Sequence, residues 1–593
     1  MQRLGIRQED IEVHLERIRA ANDATGRDQP TEENCVRALE MVIGEGGAFS
    51  LAWDHTEMAS VFVPRVVGED EVRSNLAFAL APSDMLPARP TGGTLPDAAS
   101  QLPQKLAAQL SSADWRPAPA DEFRVPKGPF TTRPAALLTA PDRLVYEALA
   151  SEVEAALNEF LPEEVVWPRL RSGSGNIDEF RDAPERWEEP YVVKADVAGF
   201  YQSVDHSLLA MILGGSLDQH SDVVQALEHF LGAVMLGSTG LPQGPRASDI
   251  FASAYLSLID RKIFHDGWRF VRFADDYLIA ADSMADGRSK LETIERYLGE
   301  HQLRLSDAKS IIMRAGTYSQ ARRQPPPALA ELRRELKRRR EEYLLHAEDS
   351  GDVAEILTEY GADEQLLFDV LYHGNTTIEE AIAELGDRLY PEDTAVYLAF
   401  LRRIDRRLRR GNATADMSES FVLARDCIAH LSAAREASAS GPVERLLQWF
   451  PGLGPVAAIY FESISSGNQA DVDEALLRLL DSQELPDWTS AWLCRSIQRR
   501  RGDVSRRLLD FLSDEILTGM KPLTKVCAIW ALAERSALNA EHWSAALAGS
   551  GPALRAELLL EREAQPGQYP GPLDPGQTAS RSLPSPGSKG KRR

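Results

Sequence analysis

Cysteine is scarce: four in 593 residues, at Cys35, Cys427, Cys494 and Cys527. None belongs to a C-x-x-C pair, so neither a zinc site nor a disulfide framework is indicated. No apolar run approaches the length of a membrane span, and residues 1–10 hold no apolar signal core, so a cytoplasmic protein with no membrane partner is the expectation. Positive charge is in deficit, 66 Lys and Arg against 90 Asp and Glu, a formal net charge of −24. A polyanion rewards a protein for basic surface through counter-ion release, so this chain can hold nucleic acid only where it is locally positive. Lys127, Arg133, Arg143, Arg246, Arg269 and Arg272 are the local basic groups closest to the chemistry described next. At 593 residues the chain exceeds one core and predicts two or three domains.

What is present is an acidic pair in an apolar setting. Residues 270–280 place Asp275 and Asp276 between two apolar runs, the pattern of a hairpin whose turn carries charge. A second apolar run, residues 191–195, ends at Asp196 and can bring a third carboxylate to the same point. Adjacent buried carboxylates cost several kcal/mol each without a counter-charge. Three carboxylates with no histidine make a hard-oxygen site suited to Mg²⁺. Two such ions a few Å apart serve in-line phosphoryl transfer, so the chain reads as a polymerase.

In order and spacing the blocks resemble the palm of reverse transcriptases: Asp196 to Tyr201, then Leu241-Pro242-Gln243-Gly244, then Phe273-Ala274-Asp275-Asp276, then residues 303–310 around Lys309. Residues 124–129 and 132–134, with Asp142-Arg143, are similar to the two fingers motifs, so the resemblance covers roughly residues 120 to 315. It implies an α+β right-hand polymerase, fingers and a palm with an antiparallel catalytic sheet. Asp196, Asp275 and Asp276 would be catalytic, joined as metal ligands by the backbone carbonyl of Val197. The cofactor would be two Mg²⁺, with Mn²⁺ as a substitute. Lys127 and Arg133 resemble the fingers cations that hold the triphosphate of a dNTP. Tyr201 stands where the family keeps an aromatic ring under the sugar that rejects a ribose 2′-hydroxyl; an ordinary core aromatic is the other reading. Gln243 and Gly244 resemble the turn beside the incoming nucleotide. Lys309 is either a proton donor to pyrophosphate or a structural salt bridge.

Four regions are expected: a helical N-terminal extension over residues 1–115, fingers and palm over 116–318, an all-α region over 319–564, and a disordered basic tail over 565–593. The extension shows amphipathic patterns at residues 11–18 and 36–43, with Thr31 as an N-cap. Apolar helices centred near residues 460, 494 and 529 recur at roughly 34 to 36 residues, suggesting a HEAT-like solenoid or else a non-repeating bundle. Basic runs at Arg333, Arg334, Lys337 and Arg338, and at Arg406 and Arg409, are either solvated helix faces or contacts to RNA or DNA.

The chain shows no RNase H region, maturase, HNH nuclease or Val-Thr-Gly block after the fourth motif. A palm followed by a long helical repeat resembles the abortive-infection and other defence-associated bacterial reverse transcriptases. That implies antiphage defence by DNA synthesis, RNA-directed or template-independent, protein-primed in some members, in a homo-oligomer. A retron-like or intron-derived template-copying enzyme, or an inactive RNA-binding palm, are the alternatives.

Overall fold

A computed structural model of the chain describes residues 49–80, 86–87, 89–90, 101–112, 114–160, 177–216, 221–323, 327–346, 382, 391–410, 417–465, 467–482, 484–565 and 567–570. The amphipathic patterns at 11–18 and 36–43, the Thr31 cap and most of the basic tail lie outside the described residues. Six strands occur among the described residues: β1 (Asp121–Pro126), β2 (Thr132–Leu137), β3 (Tyr191–Asp196), β4 (Phe270–Phe273), β5 (Asp276–Ala281) and β6 (Ile311–Arg314). β1 and β2 form a separate antiparallel hairpin. The other four make one antiparallel sheet in the order β4-β5-β3-β6.

Side-chain alternation sorts the sheet into two faces. Val193, Ala195, Phe270, Tyr277, Ile279 and Ala281 join the large core built by helices Ala140–Phe160, Arg246–His265 and Met284–Gly299. Val192, Leu278, Val271 and Phe273 pack on the opposite face with Phe180 and Tyr318. Helix Met284–Gly299 approaches closely because Gly287 lacks a side chain: a Cβ there would stand 3.0 Å from Ile312 and 3.2 Å from Val193. The described part of the N-terminal extension is no separate body. Helix Phe49–Val66 lies along helix Ser221–Val234, and Ala59, Val63, Val72 and Leu106 enter the same core.

Beyond residue 391 the described chain is helical, and its helices stack in chain order in two layers. Met417–Ala433, Gly454–Ile464, Asp487–Arg499 and Pro522–Glu534 pack one on the next, while Ser440–Trp449, Gln469–Asp481, Arg506–Thr518 and Ala540–Gly549 do the same beside them. Polar ties repeat between successive units. Arg478 pairs with Glu444 at 2.8 Å and Arg507 with Glu474 at 3.0 Å, 34 and 33 residues apart. Asp487 accepts from the Thr524 amide at 2.8 Å, 37 residues on.

This helical part packs on the β1–β2 hairpin. Val125 of β1 and Ala135 of β2 belong to its core, and the Phe130 and Phe450 rings lie 6.5 Å apart. The last helix among the described residues, Pro552–Ala564, returns to the start of β1, where Asp121 accepts from the Leu554 amide at 2.8 Å and Arg89 meets Glu557 at 3.1 Å. Tyr569, placed by sequence within the tail, is buried against Trp543 with ring centroids 5.5 Å apart.

Candidate active site

The sheet register sets the site. Asp196, the last residue of β3, lies opposite Asp276, the first of β5, and both fall on the face away from the large core. Asp275 occupies the two-residue turn, and its carbonyl accepts from the Val197 amide at 3.3 Å. The structure therefore brings Asp196, Asp275, Asp276 and Val197 together. Ala274 in the same turn takes φ +51, a conformation an alanine adopts at a cost.

That turn is secured from below by Arg272 together with Asp260 and Tyr277, two residues that were not singled out in the sequence. Arg272, fully buried, donates through Nε to Asp260 at 2.9 Å and through Nη2 at 2.6 Å, and its Nη1 donates to the Ala274 carbonyl at 2.8 Å. The Tyr277 hydroxyl donates to the same aspartate at 3.0 Å. Burial alone would lower the Arg272 pKa, but the Asp260 charge outweighs it and leaves it raised. This corrects the reading of Arg272 as local positive charge open to nucleic acid. Arg143 and Arg246 are corrected likewise: burial lowers the Arg143 pKa, with the Glu557 charge opposing it, and Arg246 pairs with Glu147 at 3.2 Å and Glu154 at 3.1 Å. Arg269 pairs with Glu189 at 3.2 Å. Of the six basic groups, Lys127 is exposed with no ion pair among the described residues, and Arg133 keeps a buried Nε without a hydrogen bond.

Residues 303–309 run beside the end of β3. The Ser306 amide donates to the Asp196 carbonyl at 2.8 Å, and the Ala198 amide to that of Arg304 at 2.9 Å. This delivers Lys309, whose Nζ lies 2.6 Å from Asp196 Oδ1. Burial pulls the Lys309 pKa down, but the hydrogen bond and charge of Asp196, with Asp276 and Asp275, outweigh it. The carboxylates remain under-neutralised. Burial, then the charges of Asp276 and Asp196, push Asp275 up to about 6. Burial also raises Asp276, against the Lys194 charge. Asp276 Oδ1 is buried without a hydrogen bond, the Lys194 ammonium standing 3.8 Å away.

An orphaned carboxylate oxygen among three mutually repelling aspartates fits hard divalent cations. Among the described residues no three His, Cys, Asp or Glu side chains already stand in the arrangement that encloses a metal. The Lys309 ammonium now satisfies the Asp196 oxygen that such an ion would take.

The residues expected to contact the nucleotide belong to the short helix Phe200–Ser203, the β1–β2 hairpin and the turn before helix Arg246–His265. Tyr201 is half-buried, and its hydroxyl donates to Asp249 Oδ1 at 2.5 Å. Burial lowers the Arg133 pKa and the nearby Tyr201 raises it, so these two are neighbours. The Gln243 carbonyl accepts from the Ala136 amide of β2 at 3.4 Å, and Gly244 holds φ +129, where a side chain is strained. Lys127 sits at the β1 end of the fingers turn, its amide donating to Thr131 at 2.7 Å.

The proposed nucleic-acid contacts lie elsewhere, on helices Pro327–His346 and Pro391–Arg409, which pack together. Arg334, Lys337, Arg338, Arg406 and Arg409 are exposed and Arg333 is half-buried, its charge acting on Asp426. Arg338 pairs with Glu335 at 2.5 Å and Arg409 with Asp405 at 3.2 Å.

An antiparallel sheet whose β4–β5 hairpin presents an acidic pair beside a third aspartate on β3 is palm-like. Residues 125–344 match the family model described as reverse transcriptase (RNA-dependent DNA polymerase), and they constitute a reverse transcriptase domain. The solved telomerase from Candida tropicalis, in complex with a TWJ fragment of telomeric RNA, is similar at 11% identity with a TM-score of 0.26. That alignment covers 61% of this chain and 64% of the telomerase chain. Comparison with curated proteins gives no match. No helix among the described residues is long and apolar enough to cross a membrane.

Proposed function

We propose that this chain is a DNA polymerase of the reverse-transcriptase type that joins dNTPs at Asp196, Asp275 and Asp276. The observation that carries the reading is the register of Asp196 opposite Asp276 with Asp275 at the turn between β4 and β5. Asp196 and Asp275 would hold two Mg²⁺, or Mn²⁺ in their place, with the Val197 carbonyl completing one site and Asp276 an outer ligand. Bound cations would lower the pKa of the attacking hydroxyl and neutralise the departing pyrophosphate. Lys127 and Arg133 grip the triphosphate, Gln243 and Gly244 back the incoming base, and Tyr201 excludes a 2′-hydroxyl. Lys309, released from Asp196, stands where it can give a proton to pyrophosphate.

We further propose a HEAT-type solenoid for residues 391–565, supported by the two stacked layers and by ties 33 to 37 residues apart. Arg333, Arg334, Lys337, Arg338, Arg406 and Arg409 would contact product or template phosphates, in a homo-oligomer acting in antiphage defence. The defence role rests on the resemblance of a palm joined to a helical repeat.

The test is incorporation of labelled dNTPs by purified Asp275→Asn/Asp276→Asn, with plaque formation on cells carrying it. Loss of both with an intact fold supports the reading. Normal incorporation sinks the catalytic assignment, and normal protection without incorporation sinks the link to defence.

A further inference from the structure

Helix Arg246–His265 is buried along most of its length, and most of its buried side chains are apolar. One stripe departs from this. Asp249, Ser253 and Asp260 recur at spacings of four and seven, so they share a face, with Asp249 and Asp260 three turns apart. Asp260 and Ser253 both accept from Arg272, the residue that holds the acidic hairpin. Asp249, at the other end of the stripe, accepts from the Tyr201 hydroxyl at 2.5 Å.

Tyr201 and Asp249 are anchored differently. Tyr201 belongs to a four-residue helix, Phe200–Ser203, that follows Gly199 at φ +59 and has no length of its own to fix a ring. Its backbone is tied by the Leu241 amide, which donates to the Tyr201 carbonyl at 2.7 Å. Asp249, by contrast, follows three anchored residues. Arg246 pairs with Glu147 and Glu154, the Ala247 amide donates to Glu147 at 3.1 Å, and Ser248 Oγ donates to the Pro242 carbonyl at 2.5 Å. The Tyr201 hydroxyl is thus held by an anchored carboxylate. Both Tyr201 and Asp249 also feel the charge of Asp275, so this contact sits beside the acidic centre.

We infer that Asp249 is the positioning residue of sugar selection: it pins the Tyr201 ring at the height where a ribose 2′-hydroxyl collides with it. The inference rests on the reading of Tyr201 as the sugar gate. A ring tethered at its hydroxyl cannot swing aside to admit the extra oxygen, whereas an untethered ring can. Because the same helix face carries Asp260, the gate and the acidic hairpin are held in one frame, and selection is coupled to hairpin position by a rigid element.

The test compares dGTP with GTP on the full-length chain, by incorporation and by equilibrium binding with Mg²⁺. Loss of a hydrogen bond to a charged acceptor is expected to lower the preference for dGTP roughly tenfold. Asp249→Ala and Tyr201→Phe should each show this loss, and the double variant no more than either. Asp249→Asn, which keeps an acceptor oxygen, should retain the preference, and Tyr201→Ala should lose more than any of them. Full discrimination in Asp249→Ala, with relaxed discrimination in Tyr201→Ala, leaves the gate standing and reduces Asp249 to favourable first-turn charge. Full discrimination in Tyr201→Ala overturns the gate and this inference with it. Should Asp249→Ala fail to fold, Tyr201→Phe decides: an unchanged preference overturns the proposal.

Discussion

The palm and the helical part both match some buried acids and leave others unmatched. In the helical part burial pushes Asp426 up to about 7, but among the described residues only the palm gathers several such carboxylates at one point. In the helical part Asp405 and Asp473 are buried and each meets an arginine, Arg445 at 2.7 Å and Arg500. In the palm, Asp260 receives the same treatment from Arg272, yet at the hairpin Asp275 and Asp276 meet no arginine in this way. Lys194 stands 3.8 Å from Asp276, Lys309 is taken by Asp196, and burial and the neighbouring carboxylates raise the Asp275 pKa. A fold able to neutralise Asp260 so fully has left the neighbouring pair only partly neutralised. The difference lies in number: Asp260, Asp405 and Asp473 each face an arginine, whereas at the hairpin three carboxylates share two lysines, the kind of arrangement that perturbs pKa values at functional sites.

The sharpest way to break this contrast is Asp275→Asn/Asp276→Asn. We expect dNTP incorporation to fall to background while the metal-free protein melts slightly higher, by roughly 2 °C, because repulsion is relieved. The sign follows from the raised Asp275 pKa: this group's contribution is fully present at low pH, where it is protonated in both states, and is lost as pH rises from about 4 through about 6. The difference in melting temperature between the variant and the wild type should therefore grow over that range; a difference that shrinks would contradict the account.

Asp260→Ala comes next. It strands a buried guanidinium and frees the Ala274 turn, and should cost about 3–5 kcal/mol in denaturant unfolding together with most of the activity. Arg272→Met with Asp260→Leu should recover stability but not activity, because the carbonyl of Ala274 still loses its donor. A third, smaller effect concerns the exposed basic residues. Reversing Arg406 and Arg409 should weaken DNA retention more at low salt than at high salt, and a loss independent of salt would argue for packing instead. The smallest effect belongs to the repeat ties. Arg478→Ala removes a half-exposed pair with Glu444, worth at most about 1 kcal/mol.

These regions also differed in how plainly the sequence announced them. Apolar alternation ending in Asp196 and flanking Asp275-Asp276 is a local pattern, and strand register turned it directly into geometry. The stacked helices followed equally from recurring apolar runs near residues 460, 494 and 529. What stayed hidden depends on partners far apart in sequence: Arg246 with Glu147, 99 residues away, or Tyr201 with Asp249, 48 away. Local charge density made Arg143, Arg246 and Arg272 resemble charge open to nucleic acid, because a basic residue carries no mark of whether an acid waits in the folded core. The packing of the β1–β2 hairpin into the helical part was hidden for a related reason, since an amphipathic face does not name what covers it.

The central claim is that the partly neutralised aspartates are a divalent-cation site. It is tested most directly by titrating Mn²⁺ into the full-length protein with dGTP and reading free Mn²⁺ by electron paramagnetic resonance, without requiring turnover. We expect the wild type to deplete the free-ion signal and Asp275→Asn/Asp276→Asn to leave it undiminished. Equal depletion by both proteins, or none by either, would contradict the account.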